Sequence, residues 1–335
     1  MTTITAKANM VDNNQPTEDL FSFIPGIERA APVPVLHTKD LQEQTFLEWV
    51  YDSRPCLVKG AVSHWPAVQK WRNKEYWLST CKNFDIKIYP HSNHNNFNLY
   101  KGEQTRFHDA IGRLFDNRDH ILSIPTDAIT EGSNWGGLLK DMTGFKFFPA
   151  PPMPREYYRS RAFIYRRAAT AWHYHGIDET LMCQVKGTKR VAILPASIPN
   201  PRKVMHYLQN ELYVDGARLD GLPDLKPMIV DVEEGDALYI PPYWFHAVVP
   251  LGGEIGFTLA YCWKSPWLKF GNLGNFFVRR LYRNGLWPLR PVTPVLPFIA
   301  VYSAARYISR KLTKTLSSGR TSVQTKTTQH RHRHR

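Results

Sequence analysis

Between residues 160 and 264 the sequence breaks into short β-rich runs, Ala162 to Tyr165, Leu181 to Val185, Val191 to Leu194, Ala237 to Ile240 and Ile255 to Trp263, each bounded by turn-forming residues. Runs this short cannot bury an apolar face alone, and their spacing predicts a small antiparallel barrel or sandwich. The chain has 335 residues, of which 43% are hydrophobic and 13% aromatic, enough for a large core and incompatible with a fibrous or disordered protein.

Around that centre the text changes character. Residues 1–30 are polar and aperiodic and predict a disordered arm. Leu41 to Tyr51 has helical spacing, and Pro55-Cys-Leu-Val-Lys-Gly reads as a buried strand before Trp65-Pro66 and Trp71. Phe84 to Pro154 mixes apolar runs (Ile86 to Tyr89, His120 to Ile124) with Asn, Gly and Pro, as an α+β region with long loops does. The Pro-rich stretch before residue 155 and the pair Tyr157-Tyr158 read as a connector. Residues 31–264 thus form the folded body. Residues 265–315 predict a basic helical extension, with helices at Phe270 to Arg283 and Val295 to Leu312, and 316–335 a disordered tail.

Charge follows the same division. Of 43 Lys+Arg, 15 lie from Lys264 onward, where there is no acid, so the 29 acids nearly balance the cations of the body. The basic extension suits an anionic membrane surface or a homodimer contact, and no nucleic-acid recognition motif accompanies it. Four isolated cysteines, Cys56, Cys81, Cys183 and Cys262, give no CxxC pair, the first 30 residues lack the pattern of a signal peptide, and the uncharged stretch from Pro291 to Ala305 is too short and Pro-rich to span a bilayer. These point to a cytoplasmic protein, with peripheral membrane attachment as an open alternative.

Three histidines carry the chemistry. In Trp172-His173-Tyr-His175-Gly two of them are two residues apart, so on a strand both side chains leave the same face and can reach one metal ion. His246, ending Gly235-Asp-Ala-Leu-Tyr-Ile-Pro-Pro-Tyr-Trp-Phe-His246, can supply a third ligand from a neighbouring strand. The aromatics Tyr165, Trp172, Tyr174, Tyr239, Tyr243, Trp244 and Phe245 read chiefly as barrel packing.

The stretch from His173 through Gln184, Gly187 and Lys189 to Pro195 resembles the central motif of the cupin-like, Jumonji-C-type oxygenases, in particular the group of the asparaginyl hydroxylase that inhibits hypoxia-inducible factor. Gly235 to His246 resembles their second motif and Pro55 to Trp71 their entry segment, so the likeness covers roughly residues 33–264. It implies a mainly β fold with α elaborations, a double-stranded β-helix (cupin or jelly-roll barrel), followed here by the helical C-terminal extension. It implies Fe(II) as cofactor, 2-oxoglutarate as co-substrate and O2 as oxidant, in a dioxygenase that hydroxylates a protein, peptide or small molecule. On this likeness His173 and His246 are metal ligands, Lys189 binds the distal carboxylate of 2-oxoglutarate, and Thr170 assists it.

Two departures leave alternatives open. The second ligand of the family is an acid, and here that position is His175, while Gln184 and Gly187 stand one residue late. Either His175 ligates, giving three neutral imidazoles in place of a 2-His-1-carboxylate triad, or Asp178 or Glu179 swings in. His173-x-His175-x3-Glu179 also resembles the general cupin motif of three histidines and a glutamate. In addition, Ala260 stands where the hydroxylase carries Asn. A three-histidine iron dioxygenase without 2-oxoglutarate and a non-catalytic cupin-like binding protein therefore stand beside the hydroxylase reading.

Overall fold

The structure, a computed structural model, describes residues 20–22, 24–90, 102–176, 178–195, 197–198, 204, 208, 225–272, 278, 298 and 300–313. The expected arm before residue 20, the tail over 316–335 and most of the expected helix from Phe270 to Arg283 lie outside the described residues. The chain divides into two compact units, residues 1–43 with 55–264, and residues 44–54 with 265–335.

Among the described residues the first unit is built on fourteen strands: β1 (Ala31–Pro32), β2 (Val35–His37), β3 (Cys56–Lys59), β4 (Asp85–Pro90), β5 (Glu103–Arg106), β6 (Leu122–Pro125), β7 (Ser160–Arg166), β8 (Thr170–His173), β9 (Asp178–Lys186), β10 (Thr188–Leu194), β11 (Met228–Val232), β12 (Ala237–Ile240), β13 (Phe245–Leu251) and β14 (Ile255–Lys264). One sheet runs β1-β11-β10-β13-β8 and the other β2-β3-β12-β9-β14-β7-β6-β4-β5. From β7 to β14 successive strands alternate between the two sheets, except that β10 and β11 are neighbours in one, the connectivity of a jelly-roll barrel. The expected runs between residues 160 and 264 are the cores of β7, β9, β10, β12 and β14. The fold is mainly β, as the sequence predicts.

Alternation along the strands gives each sheet two apolar faces. The inner faces meet in a cluster of Met182, Val191, Ile193, Val230, Val232, Leu238, Ile240 and Val248, which fills the barrel from both sheets. The outer face of the five-stranded sheet, through Trp172, Ala192, Leu194, Phe245 and Ala247, is covered by Leu20, Ile24, Ile198, Val204, Leu208 and Leu225. Here the structure differs from the expected loose arm: from Leu20 onward the chain is packed, and the Leu20 carbonyl accepts the Trp172 indole N–H at 3.0 Å. Two apolar residues in a polar stretch suffice, because they cap a face that would otherwise meet water.

The opposite sheet is covered by α2 (Pro66–Lys70), α3 (Lys74–Thr80) and α4 (Phe107–Phe115), with α1 (Glu43–Asp52) preceding them in the chain. Trp71, Trp77 and Phe257 pack ring to ring, with centroids 5.2 Å apart for Trp71–Trp77 and for Trp77–Phe257. The buried Asp141 carboxylate accepts from the Trp71 indole at 3.1 Å, the Tyr76 hydroxyl at 2.5 Å and Lys70 at 3.1 Å. Burial and the bond to Asp141 push the Tyr76 phenol up to about 12.

Turns finish the design. Gly187, at φ +80°, makes the tight β9–β10 turn, and Gly235, at φ +88°, lies so close to Ser63 that a Cβ would stand 2.3 Å from its hydroxyl. Only glycine meets both demands. At the start of β9, Asp178 is fully buried and accepts backbone N–H groups of Arg155, Glu156 and Tyr157 at 2.7–3.1 Å. It ties the connector to the barrel end. Asp178→Ala strands these donors, each at roughly 1–3 kcal/mol with partial rehydration, so urea unfolding is expected to show a loss of about 3–5 kcal/mol. A loss under about 1 kcal/mol contradicts the clamp.

Candidate metal centre

Register brings the site together. Directly opposed residues of an antiparallel pair share a face. His246 opposes both Ile193 and His173, Val248 opposes Val191 and Thr170, and Pro250 opposes Lys189. The inner face of the five-stranded sheet therefore carries three rows: His173, His246 and Ile193; then Thr170, Val248 and Val191; then Pro250 and Lys189. Thr170 and His173, an odd number apart, share this face because a bulge shifts the β8–β13 register between His246 and Val248. Rows are about 7 Å apart, so the histidine row and the Lys189 row stand about 13 Å apart along the strands.

The metal-binding atoms of His173, His175 and His246 lie within 4.8 Å of one another. His175 follows the end of β8, its carbonyl accepting the backbone N–H of Tyr243 at 3.0 Å, and Tyr243 adopts a left-handed φ of 64° in the β12–β13 turn. The His173 Nδ1–H donates to the Ala171 carbonyl at 2.9 Å and that of His246 to the Trp244 carbonyl at 3.0 Å. This fixes both tautomers with the Nε2 lone pair free, the arrangement of metal-binding histidines. Burial lowers the basicity of all three rings, reinforced by the neighbouring imidazoles at His175, which falls to about 3, and at His246. All are neutral at physiological pH. Among the described residues the buried Nδ1 of His175 has no hydrogen-bond partner, and such an orphan beside two preset lone pairs is what a divalent transition metal satisfies. The donor set fits an iron ion.

The two acids expected as alternative ligands are engaged elsewhere. Asp178 is held by the connector amides. Glu179 points to the outer face, opposite in alternation to the core residue Met182, and its carboxylate accepts the Tyr239 hydroxyl at 2.6 Å. Among the described residues the three-histidine group contains neither.

At the far row Lys189 is 2% exposed, with its ammonium 3.8 Å above the Tyr165 ring centre. No acid pairs with it among the described residues, and burial brings it down to about 7. Tyr165 is itself fixed by the Gln184 amide at 2.9 Å, and Gln184 accepts from Thr258 at 2.8 Å. Near Gln184 the β9–β14 register shifts, Gln184 and Lys186 facing the adjacent Thr258 and Phe257, which accommodates one extra residue of β9. A cavity of about 260 Å³ lined by Tyr165, Gly187, Thr188, Pro250, Leu251, Gly252, Glu254 and Gly256 opens beyond this end, away from the histidine row.

Three neighbours escape a reading by motif. Arg161 opposes Ala260, which opposes Met182, so Arg161 faces the barrel interior. Its guanidinium lies 5.2 Å over Phe163 and donates from Nε to the Thr126 carbonyl at 2.7 Å. The alternation Arg161, Phe163, Tyr165 on β7 was the available signal. The third is Tyr157, expected as connector, whose ring stands 5.9 Å from that of His175 and whose hydroxyl accepts the Gly176 N–H at 2.8 Å.

Comparison with known proteins bears on the family. Residues 42–267 match the model of the cupin-like domain. Jumonji C domain-containing protein 5 of Drosophila melanogaster is 23% identical over 69% of the chain and 60% of its own length. The bifunctional peptidase and (3S)-lysyl hydroxylase JMJD7 of Homo sapiens is 22% identical over 68% of the chain and 84% of its own length. tRNA wybutosine-synthesizing protein 5 of Mus musculus is 24% identical over 71% and 79%. The chain thus spans about three fifths of the Drosophila relative. The narrower kinship with asparaginyl hydroxylases goes beyond these matches. With two thirds of its length matched and Jumonji-C proteins among its relatives, the chain belongs to the cupin-like domain family.

Proposed function

We propose that this protein is an Fe(II)- and 2-oxoglutarate-dependent oxygenase that hydroxylates an organic substrate, with His173, His175 and His246 as its metal ligands. The observation that carries the reading is Lys189. A lysine buried in a barrel with no counter-ion is costly unless an anion completes it, and it lies on the inner face that holds the histidines, two rows away. A keto-diacid can reach from one to the other.

In this reading bound iron supplies the redox chemistry by which O2 delivers one oxygen atom to a substrate C–H bond and the other to 2-oxoglutarate, which leaves as succinate and carbon dioxide. The chain does the rest. Lys189, steadied over Tyr165, holds the distal carboxylate, and the Thr170 hydroxyl on the intermediate row donates to the same ligand. The backbone carbonyls of Ala171 and Trp244 keep the imidazoles turned inward. Arg161 and Phe163 line the facing wall. The lysyl hydroxylase named among the relatives supports a hydroxylase, and the neutral donor set supports a dianionic co-substrate, whose two charges balance the metal.

The test is anaerobic titration of iron-loaded protein with 2-oxoglutarate, followed by the visible charge-transfer absorption. Lys189→Met is expected to keep iron and weaken 2-oxoglutarate about 30- to 1000-fold, the weight of a buried charge-assisted contact. His175→Ala is expected to lose iron affinity at least about tenfold. An iron-loaded wild type that gives no band at saturating 2-oxoglutarate overturns the reading in favour of a three-histidine dioxygenase independent of that co-substrate.

A pH dependence follows from the depressed lysine. Lys189 binds a carboxylate as the cation, which the ligand-free protein holds only below about 7. Affinity for 2-oxoglutarate is therefore full below that value and falls as pH rises through it, by about tenfold per unit above. Calorimetric titration between pH 6 and about 9 checks this, and a flat profile contradicts the role given to Lys189.

A further inference from the structure

The second unit contains a helix that turns its apolar side outward. Helix α5, residues 300–313, follows Phe298, also helical. One side is fixed to α1. Tyr307 donates to Asp52 at 3.0 Å, Lys311 lies 2.8 Å from the same carboxylate, and Arg310 pairs with Glu48 while covering the Tyr51 ring at 4.3 Å. On the same side Ser303 is buried, and Gly271 comes so close that a Cβ would stand 2.0 Å from the Ser303 carbonyl oxygen.

With 3.6 residues per turn, Ser303, Tyr307 and Arg310 face inward and Val301, Ala305, Ile308 and Leu312 fall on the opposite side, flanked by Phe298 and Tyr302. Phe298, Val301, Tyr302, Ile308 and Leu312 are 56–75% exposed. A surface helix ordinarily buries such a stripe, and a contiguous exposed one marks an interaction surface.

Charge decides between the two occupants this surface could take. From Lys264 to the end the chain carries 15 cations and no acid. A second copy meeting the same stripe would set two such segments against each other, whereas an anionic lipid surface complements both the stripe and the charge. No helix among the described residues is long and apolar enough to cross a membrane. We propose that α5 lies along an anionic membrane surface, with Val301, Ile308 and Leu312 entering the headgroup–acyl boundary and the exposed Arg306 beside the stripe meeting lipid phosphates.

The experiment is co-sedimentation of the full chain with vesicles of equal parts phosphatidylglycerol and phosphatidylcholine, against vesicles of phosphatidylcholine alone. Wild type is expected to bind the anionic vesicles at least about tenfold better, and the triple variant Val301→Ser, Ile308→Ser, Leu312→Ser to lose at least about tenfold of that binding with unchanged circular dichroism. Ile308→Trp is expected to bind with a blue-shifted, vesicle-dependent fluorescence. Folded wild type that ignores anionic vesicles overturns the proposal, as does a triple variant that binds equally well. A sedimentation-equilibrium dimer that the triple variant dissolves, without vesicle binding, assigns the stripe to a second copy instead.

Discussion

The register between β10 and β13 governs what this barrel can do. Pairing Ile193 with His246 and Lys189 with Pro250 sets one imidazole and one ammonium on the same inner face, separated by a hydrophobic row. A slip of one residue between the two strands would turn one of these groups outward and part it from the other, since side chains alternate with period two. The bulge in β8 adds His173 and Thr170 to the same face. The site thus rests on ladder hydrogen bonds made by residues with no chemistry of their own, and the packing of Val191, Val230, Val232 and Val248 between the sheets holds that register in place.

Electrostatics then selects the ligands. A centre of three imidazoles brings no negative charge, in contrast to a triad containing a carboxylate, so the charge of a bound metal ion is left for its other partners to neutralise. Among the described residues no carboxylate is bonded to Lys189 inside the barrel or to Arg161 on the facing wall. The acids nearby do not offset them, because Asp178 and Glu179 are committed to amide and phenol donors. An interior arranged in this way favours anions over neutral ligands. Burial alone depresses the lysine.

Much of this was legible in the residues. Short apolar runs and turn glycines located the barrel strands, whereas the expectation that His173 and His175 share a strand face does not describe His175, which lies beyond the end of β8. What the sequence left open turned on partners distant in the chain. Whether Asp178 and Glu179 ligate depends on where the backbone of residues 155–157 and the Tyr239 hydroxyl lie, and no local pattern records that. The packing of Leu20 and Ile24 depends on an uncovered sheet face over a hundred residues away. Arg161 is turned inward by its pairing with Ala260, a partner far along the chain. In the second unit, composition revealed the charge of the extension, but only the links from Tyr307, Arg310 and Lys311 to α1 show which side of the helix is left to the solvent.

The most direct measurement is X-ray absorption at the iron edge of the iron-loaded protein. Three histidines at the metal predict multiple-scattering features of three imidazoles, dropping to two in His175→Ala and unchanged in Glu179→Gln. Two imidazoles with a protein carboxylate in the wild type would contradict the account.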